Sequence, residues 1–227
     1  MKASNIILIS IFASATILIT VGAMQLRFGD HTEFPETAFR TEKYNLPDFK
    51  FLKIHDISRH IDVEASDEQR LEIVIEKESE LPKMSYSQNG DTLIIDKLAW
   101  DKMAPLSRLT IYIPADLEII EAKNAKIYLR SFDNETLDLR VDRVDMSIDK
   151  NVKLEKLMIS NATGSNISVF SRELDTLTVN LNESHLTAQG TIGKLSGSVE
   201  NNSVLSIKEV QDFDFKKDNS SKLHHWN

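Results

Sequence analysis

Residues 117–129 read LEIIEAKNAKIYL, and the same plan returns down the chain. It recurs as LDLRVDRVDMSI at 137–148, LMISNATGSNISV at 157–169, LTVNLNESHLTA at 177–188, LSGSVENNSVLSI at 195–207 and FDFKKDNSSKLHH at 213–225. Each segment alternates apolar and polar residues, passes through Asn, Asp or Ser, and alternates again. Segment starts fall at Leu117, Leu137, Leu157, Leu177, Leu195 and Phe213, with spacings of 20, 20, 20, 18 and 18. A second apolar pulse follows at Ile127, Met146, Ile167, Leu186, Leu205 and Leu223. A fixed period with two short strands per unit predicts a β-solenoid, here a parallel β-helix. One unit cannot bury its own apolar side chains. Stacking units at a strand spacing of about 4.8 Å makes one continuous core.

Alternation then names the inward positions, because side chains on a strand point to opposite faces. The first sheet should turn Leu137, Leu139, Val141, Leu157, Ile159, Leu177, Val179, Phe213 and Phe215 inward. The second should bury Ile127, Leu129, Ile167, Val169, Leu205 and Ile207. A sandwich would not need a fixed period, and leucine-rich repeats would need a recurrent Asn that these segments lack.

Upstream of the repeats the same alternation runs through Phe51–Ile54, Ile61–Val63, Leu71–Ile75, Leu93–Ile95 and Leu109–Ile113, so these are read as strands. Asn89-Gly90 marks a hairpin tip, since Asn and Gly accept positive φ. Trp100 to Pro105 reads as a loop or short turn. Residues 30–45 are polar, carry Pro35 and read as a linker. The solenoid domain is assigned to 46–227.

The first 29 residues have a different chemistry. Ile6 to Met24 contains no charged residue, and a helix of that length just crosses a hydrocarbon core of roughly 30 Å. Lys2 precedes it and acids follow, which predicts a cytoplasmic N-terminus and an exported body. Val21-Gly22-Ala23 offers a cleavage site, while the length of the run and Arg27 favour an uncleaved signal anchor. The expected localisation is a membrane-anchored protein whose C-terminal domain is exported.

Composition excludes several classes. The chain of 227 residues carries a net charge of −8 and no Cys. Nucleic-acid binders need a basic face, and thiolate metal sites, disulfide scaffolds and Cys nucleophiles need Cys. No G-x-S-x-G, H-E-x-x-H or phosphate loop occurs. The acids Asp142 and Asp145, or Glu76 and Glu78, have the spacing of a wet strand face, and roughly six short repeats leave little material for a catalytic cleft.

Several features resemble one family. Phe49–Ile54, Asp62–Ala65, Leu71–Ile75, Gly90–Ile95 and Leu109–Pro114 follow in the order of strands that opens the auto-transporter adhesin head GIN domain family of Bacteroidota-type envelope proteins. The pairing of Gly90-Asp91-Thr92-Leu93-Ile94-Ile95 with Leu109-Thr110-Ile111-Tyr112-Ile113-Pro114, followed by a solenoid, is its most specific part. The resemblance implies a parallel β-helix and no established activity. This chain holds Asn124-Ala125, Asn151, Asn161-Ala162-Thr163-Gly164 and Asn201-Asn202 where that family often has Gly-rich turns. Asn also tolerates the left-handed region, so the geometry can persist.

Candidate sites follow from the same register. Ser160, Thr178, Asn180, Ser196 and Ser198 should form a small, polar, uncharged stripe on one face, suited to a glycan or a partner protein. Glu118, Asp138, Arg140, Asp142 and Arg143 should make a mixed-charge zone on earlier coils. His55 and His60, with Asp56 and Asp62, are read as loop residues in preference to a metal site. His224-His225-Trp226 is read as an end cap. Sequons at Asn134, Asn161, Asn166, Asn182, Asn201 and Asn219 are read as turn and ladder chemistry. No cofactor, metal, catalytic residue or nucleic-acid partner is expected. Two functions fit: a non-catalytic adhesion or binding module, and a self-assembling envelope protein of the bactofilin kind. Lys216, Lys217, Asp218 and Lys222 charge the last coil, which blunts an edge against pairing and favours the module.

Overall fold

A computed structural model describes residues 39–80, 83–99 and 108–225. Among them the regular elements are all strands: β1 (Phe39–Asn45), β2 (Phe51–His55), β3 (His60–Ala65), β4 (Arg70–Glu76), β5 (Lys83–Asn89), β6 (Thr92–Ala99), β7 (Arg108–Ile113) and β8 (Ile119–Lys123). These are followed by β9 (Lys126–Asp142), β10 (Asp145–Ile148), β11 (Val152–Thr163), β12 (Asn166–Val169), β13 (Glu173–Asn182), β14 (His185–Glu200), β15 (Val204–Lys217) and β16 (Lys222–His225). The described residues hold no helix long and apolar enough to cross a membrane. The run at 6–24, the stretch at 100–105 and Trp226 lie outside them.

The repeats stack as parallel rungs of a β-solenoid of about six turns. Ile127, Met146, Ile167, Leu186, Leu205 and Leu223 stand in one register column. Leu137, Leu157, Leu177, Leu195 and Phe213 form another. Leu117 does not head that column. Ile119 pairs with Asp138 and Ile120 with Leu139, an offset of 19 where the Leu-to-Leu spacing is 20. Leu117 is still fully buried.

Each rung has more than the two strands expected. β9, β14 and β15 run for 17, 16 and 14 residues and bend round the solenoid. Their middles make a short third side, where Phe132 pairs with Val152 and Leu174, Ile192 and Val210 align. The sequence hides this side because it is only two or three residues long, too short for alternation to register.

The inward predictions hold for every residue named on the first and second sheets except two. Phe213 is 46% exposed and Phe215 half-buried. Both occupy inward columns, but among the described residues no rung lies over them.

The N-terminal end is built differently. β6 and β7 pair in parallel with β2 and β3, so the chain visits its first rungs out of order. β5 lies antiparallel on β6, and β4 antiparallel on β7. β1 joins the edge of β4, so residues 39–45 of the stretch read as a linker form a strand. The β5–β6 hairpin closes through Gly90-Asp91, with Asn89 opposite Thr92. Only Gly90 there has positive φ, 58°, so glycine takes the first central position of the turn.

Corners between the first and second sheets share one device. Asp56, Asn124, Arg143, Gly164 and Glu183 all have φ between 48° and 57°. Asn and Gly were legible as turn residues; Arg143 and Glu183 were not. Each left-handed residue donates its N–H to the next rung, as from Arg143 to Thr163 O (2.8 Å) and from Gly164 to Asn182 O (3.1 Å).

Immediately after each left-handed corner comes a buried residue, Ile57, Ala125 and Val144 in the earlier rungs and Ser165, Ser184 and Ser203 in the later, with Ser221 level with Ser203 in the last. Ser165 Oγ accepts from Val144 N (3.1 Å), Ser184 Oγ from Ser165 N (3.0 Å) and Ser203 Oγ from Ser184 N (3.0 Å). Ser165 and Ser184 also donate back to Thr163 O and Asn182 O, each at 2.8 Å. A serine ladder thus satisfies amides that the tight corner removes from the sheets, where a buried N–H without a partner would cost about 1–3 kcal/mol.

Candidate functional site

The predicted stripe assembles on the outer face of the first sheet. Thr178 stands opposite Ser196 and Asn180 opposite Ser198. Ser160 sits in the bulge where β11 slips against β13, between Ile159 and Ala162. The side chains link across rungs. Thr178 Oγ1 and Ser196 Oγ are 3.0 Å apart, Ser198 Oγ donates to Asn180 Oδ1 at 3.4 Å, and Asn180 Nδ2 donates to Ser160 O at 3.3 Å.

Register also fixes the borders of the stripe. Met158, 43% exposed, lies opposite Thr178. On the N-terminal side, Asp138 lies opposite Met158 and Arg140 opposite Asn161. On the C-terminal side, Asp214 faces Ser196 and Lys216 faces Ser198. The stripe is a flat, neutral field of hydroxyls and one amide between two charged margins. Asp138 accepts from Arg140 Nε at 2.9 Å. Its other oxygen, Oδ1, is buried without a hydrogen-bond partner among the described residues.

The mixed-charge zone is a set of ion pairs. Lys50 pairs with Glu118 (3.6 Å), Lys53 with Glu121 (2.8 Å), Arg140 with Asp138 (2.9 Å) and Arg143 with Asp142 (3.1 Å). Such partly exposed pairs contribute little stability each and leave a nearly neutral surface.

The turn at 56–59 separates the two histidines that flank it. His55 lies on the first sheet, 3.3 Å from Asp96 and 3.8 Å from Glu121. His60 lies on the second, 3.6 Å from Asp62 and stacked at a tilt on Tyr128. Asp56 instead accepts from Asn124 Nδ2 at 2.6 Å. Among the described residues no three His, Cys, Asp or Glu side chains come together as a metal site would require. Several sequon asparagines serve as ladder groups: Asn134 donates to Leu117 O and Asn201 to Asn182 Oδ1.

Sequence reading missed a polar network on the second sheet. Asp62, 3% exposed, receives Arg108 Nε on one oxygen and Arg130 Nε on the other, both at 2.7 Å. Burial pushes its pKa up, but the hydrogen bonds and charges of Arg130 and Arg108 outweigh that and hold it below the ordinary value. Tyr128 OH donates to Asp149, which lowers the carboxylate pKa and raises the phenol. The partners of Asp62 are 46 and 68 residues away, so no local pattern announces them.

A groove of about 890 Å³ opens on the third side, lined by Asp133, Glu135, Lys150, Lys153, Arg172 and Glu173 among others. Lys153 spans it toward Asp133 at 3.1 Å. Charges of both signs line an open surface there.

No family model matches the chain, and no curated protein matches it in sequence. Solved structures match its fold. A "putative adhesin" from Bacteroides fragilis superposes with a TM-score of 0.58 at 12% identity, covering 84% of this chain and 98% of that one. A "putative adhesin" from Parabacteroides merdae gives a TM-score of 0.43 at 12% identity, covering 85% and 98%. A "putative cell adhesion protein" from Clostridium sporogenes gives 0.32 at 12% identity, covering 79% and 100%. The chain therefore shares the fold of the Bacteroides fragilis protein over nearly that protein's whole length.

Proposed function

We propose that this protein is a non-catalytic binding module of the cell envelope. In this reading residues 6–24 anchor it in a membrane, its solenoid is exported, and the neutral stripe of Ser160, Thr178, Asn180, Ser196 and Ser198 docks a glycan or an envelope partner. One observation carries the reading. The hydroxyls and amide stand on successive rungs of a flat sheet, at the strand spacing of about 4.8 Å, between charged margins. A repeated array of donors and acceptors suits a repeated ligand. The resemblance to the head GIN domain family and the fold shared with a protein called a "putative adhesin" point the same way.

Two experiments test it. Carbonate-washed membranes of the native host should retain the protein with its Met1-Lys2 start; a soluble protein starting near Met24 refutes the anchor. On a printed glycan array, Asn180→Lys with Ser198→Lys should abolish any signal of the wild type while leaving the circular dichroism spectrum unchanged. Binding that survives both substitutions places the ligand elsewhere.

A further inference from the structure

We propose that the C-terminal end of the solenoid is a self-complementary interface that takes a second copy of this chain, tail to tail. Every inner rung buries its inward side chains under the next one. The last rung presents the same columns uncovered: Phe213 is 46% and Leu223 37% exposed, with Val210 and Phe215 only half-buried. Among the described residues β15 pairs with β14 and β16, and β16 with β15 alone, so residues 208–217 and 222–225 offer a strand edge there.

The order of charges on that edge selects the partner. Asp212, Asp214 and Lys216 alternate outward while Phe213 and Phe215 alternate inward. Antiparallel pairing of two copies about Asp214 sets Asp212 opposite Lys216 twice and Phe213 opposite Phe215 twice, and these four pairs outweigh the single Asp214–Asp214 contact on the axis. Opposite-charge and aromatic cross-strand pairs both stabilise such a ladder. Lysines that would repel a parallel neighbour become the complement of an acid-first strand. Lys217, at an inward position, is tied back to its own rung through Asp218 O (2.7 Å) and Ser221 O (2.9 Å), and in this register it meets Gln211. At the opposite end β4 and β5 run antiparallel, and the described residues there offer no matching parallel edge. The contact is therefore isologous and closes at two copies.

The test uses the full chain in mild detergent at tens of micromolar, with each variant first checked for an unchanged β-sheet spectrum. Wild type should sediment as a dimer. Lys216→Glu converts both attractive pairs to repulsive ones and should weaken association by about tenfold or more. The double variant Asp212→Lys with Lys216→Asp reverses the pairs and should restore it. Because the chain has no Cys, Asp214→Cys gives a clean crosslink: directly opposed residues of an antiparallel pair lie about 4.5–5.5 Å apart, within disulfide reach. It should oxidise to a covalent dimer, while Glu135→Cys, exposed on the third side, should not. A monomeric wild type, a dimer indifferent to Lys216→Glu, or equal crosslinking of the two cysteine variants overturns the proposal.

Discussion

Replacing Ser184 by alanine should destabilise the solenoid out of proportion to the single atom lost. The Ser184 side chain is fully buried. Its Oγ accepts from Ser165 N at 3.0 Å and donates to Asn182 O at 2.8 Å. Removing it leaves the Ser165 amide buried without an acceptor, at about 1–3 kcal/mol, and deletes a bond with a net value of about 0.5–1.5 kcal/mol. Asn182 O keeps the Gly164 amide at 3.1 Å, so no second group is orphaned. The expected loss is about 2–4 kcal/mol, or roughly 5–15 °C in Tm for a chain of this size. The same ladder supplies the control. Among the described residues Ser221 Oγ receives no corner amide, so Ser221→Ala should cost less than half as much as Ser184→Ala. Thermal unfolding followed by circular dichroism reads both. Equal effects, or a change below about 0.5 kcal/mol for Ser184→Ala, would refute the claim that the serines act by receiving corner amides.

Gly197→Ala should be more severe still: its φ is 121°, and an added Cβ would meet Val179 O at 1.9 Å, so strain and rung separation together should exceed about 3 kcal/mol in urea unfolding. Acid should unfold the protein in a predictable window. Asp62, Asp149 and Glu72 have folded pKa values below their ordinary ones, so their contribution is present above the usual carboxylate range and is lost as pH falls through the depressed values. Stability should hold steady from pH 7 to 5 and fall below about pH 4. Asp62→Asn should flatten that fall and lower stability at pH 7, because Arg108 and Arg130 lose a charged acceptor. Asn124→Gly should cost less than Asn124→Ala in thermal unfolding, since φ is 48° there, although both lose the 2.7 Å bond from Arg143 and the 2.6 Å bond to Asp56.

The candidate stripe was legible because outward positions on consecutive rungs inherit their neighbourhood from the register. Once Leu177 aligns with Leu195, Thr178 must meet Ser196 and Asn180 must meet Ser198. Its borders were less legible. The slip in β11 puts Asn161, not Ser160, opposite Arg140, and a bulge leaves no trace in alternation. The Asp62 network escaped because its two arginines come from β7 and β9, brought together by rungs that stack out of chain order.

From the sequence alone came the period, the parallel stacking and nearly the whole list of inward residues, since a repeating unit that cannot bury its face alone has one way to bury it. The tertiary structure alone decided what happens where the repeat stops or bends. It placed Arg143 and Glu183 in left-handed corners, because the stack above supplies the carbonyl that each corner amide needs. It folded the middles of β9, β14 and β15 into a third side too short to carry a pattern. And it left Phe213 exposed in a column whose earlier members are buried, because burial in a solenoid depends on the rung that comes next.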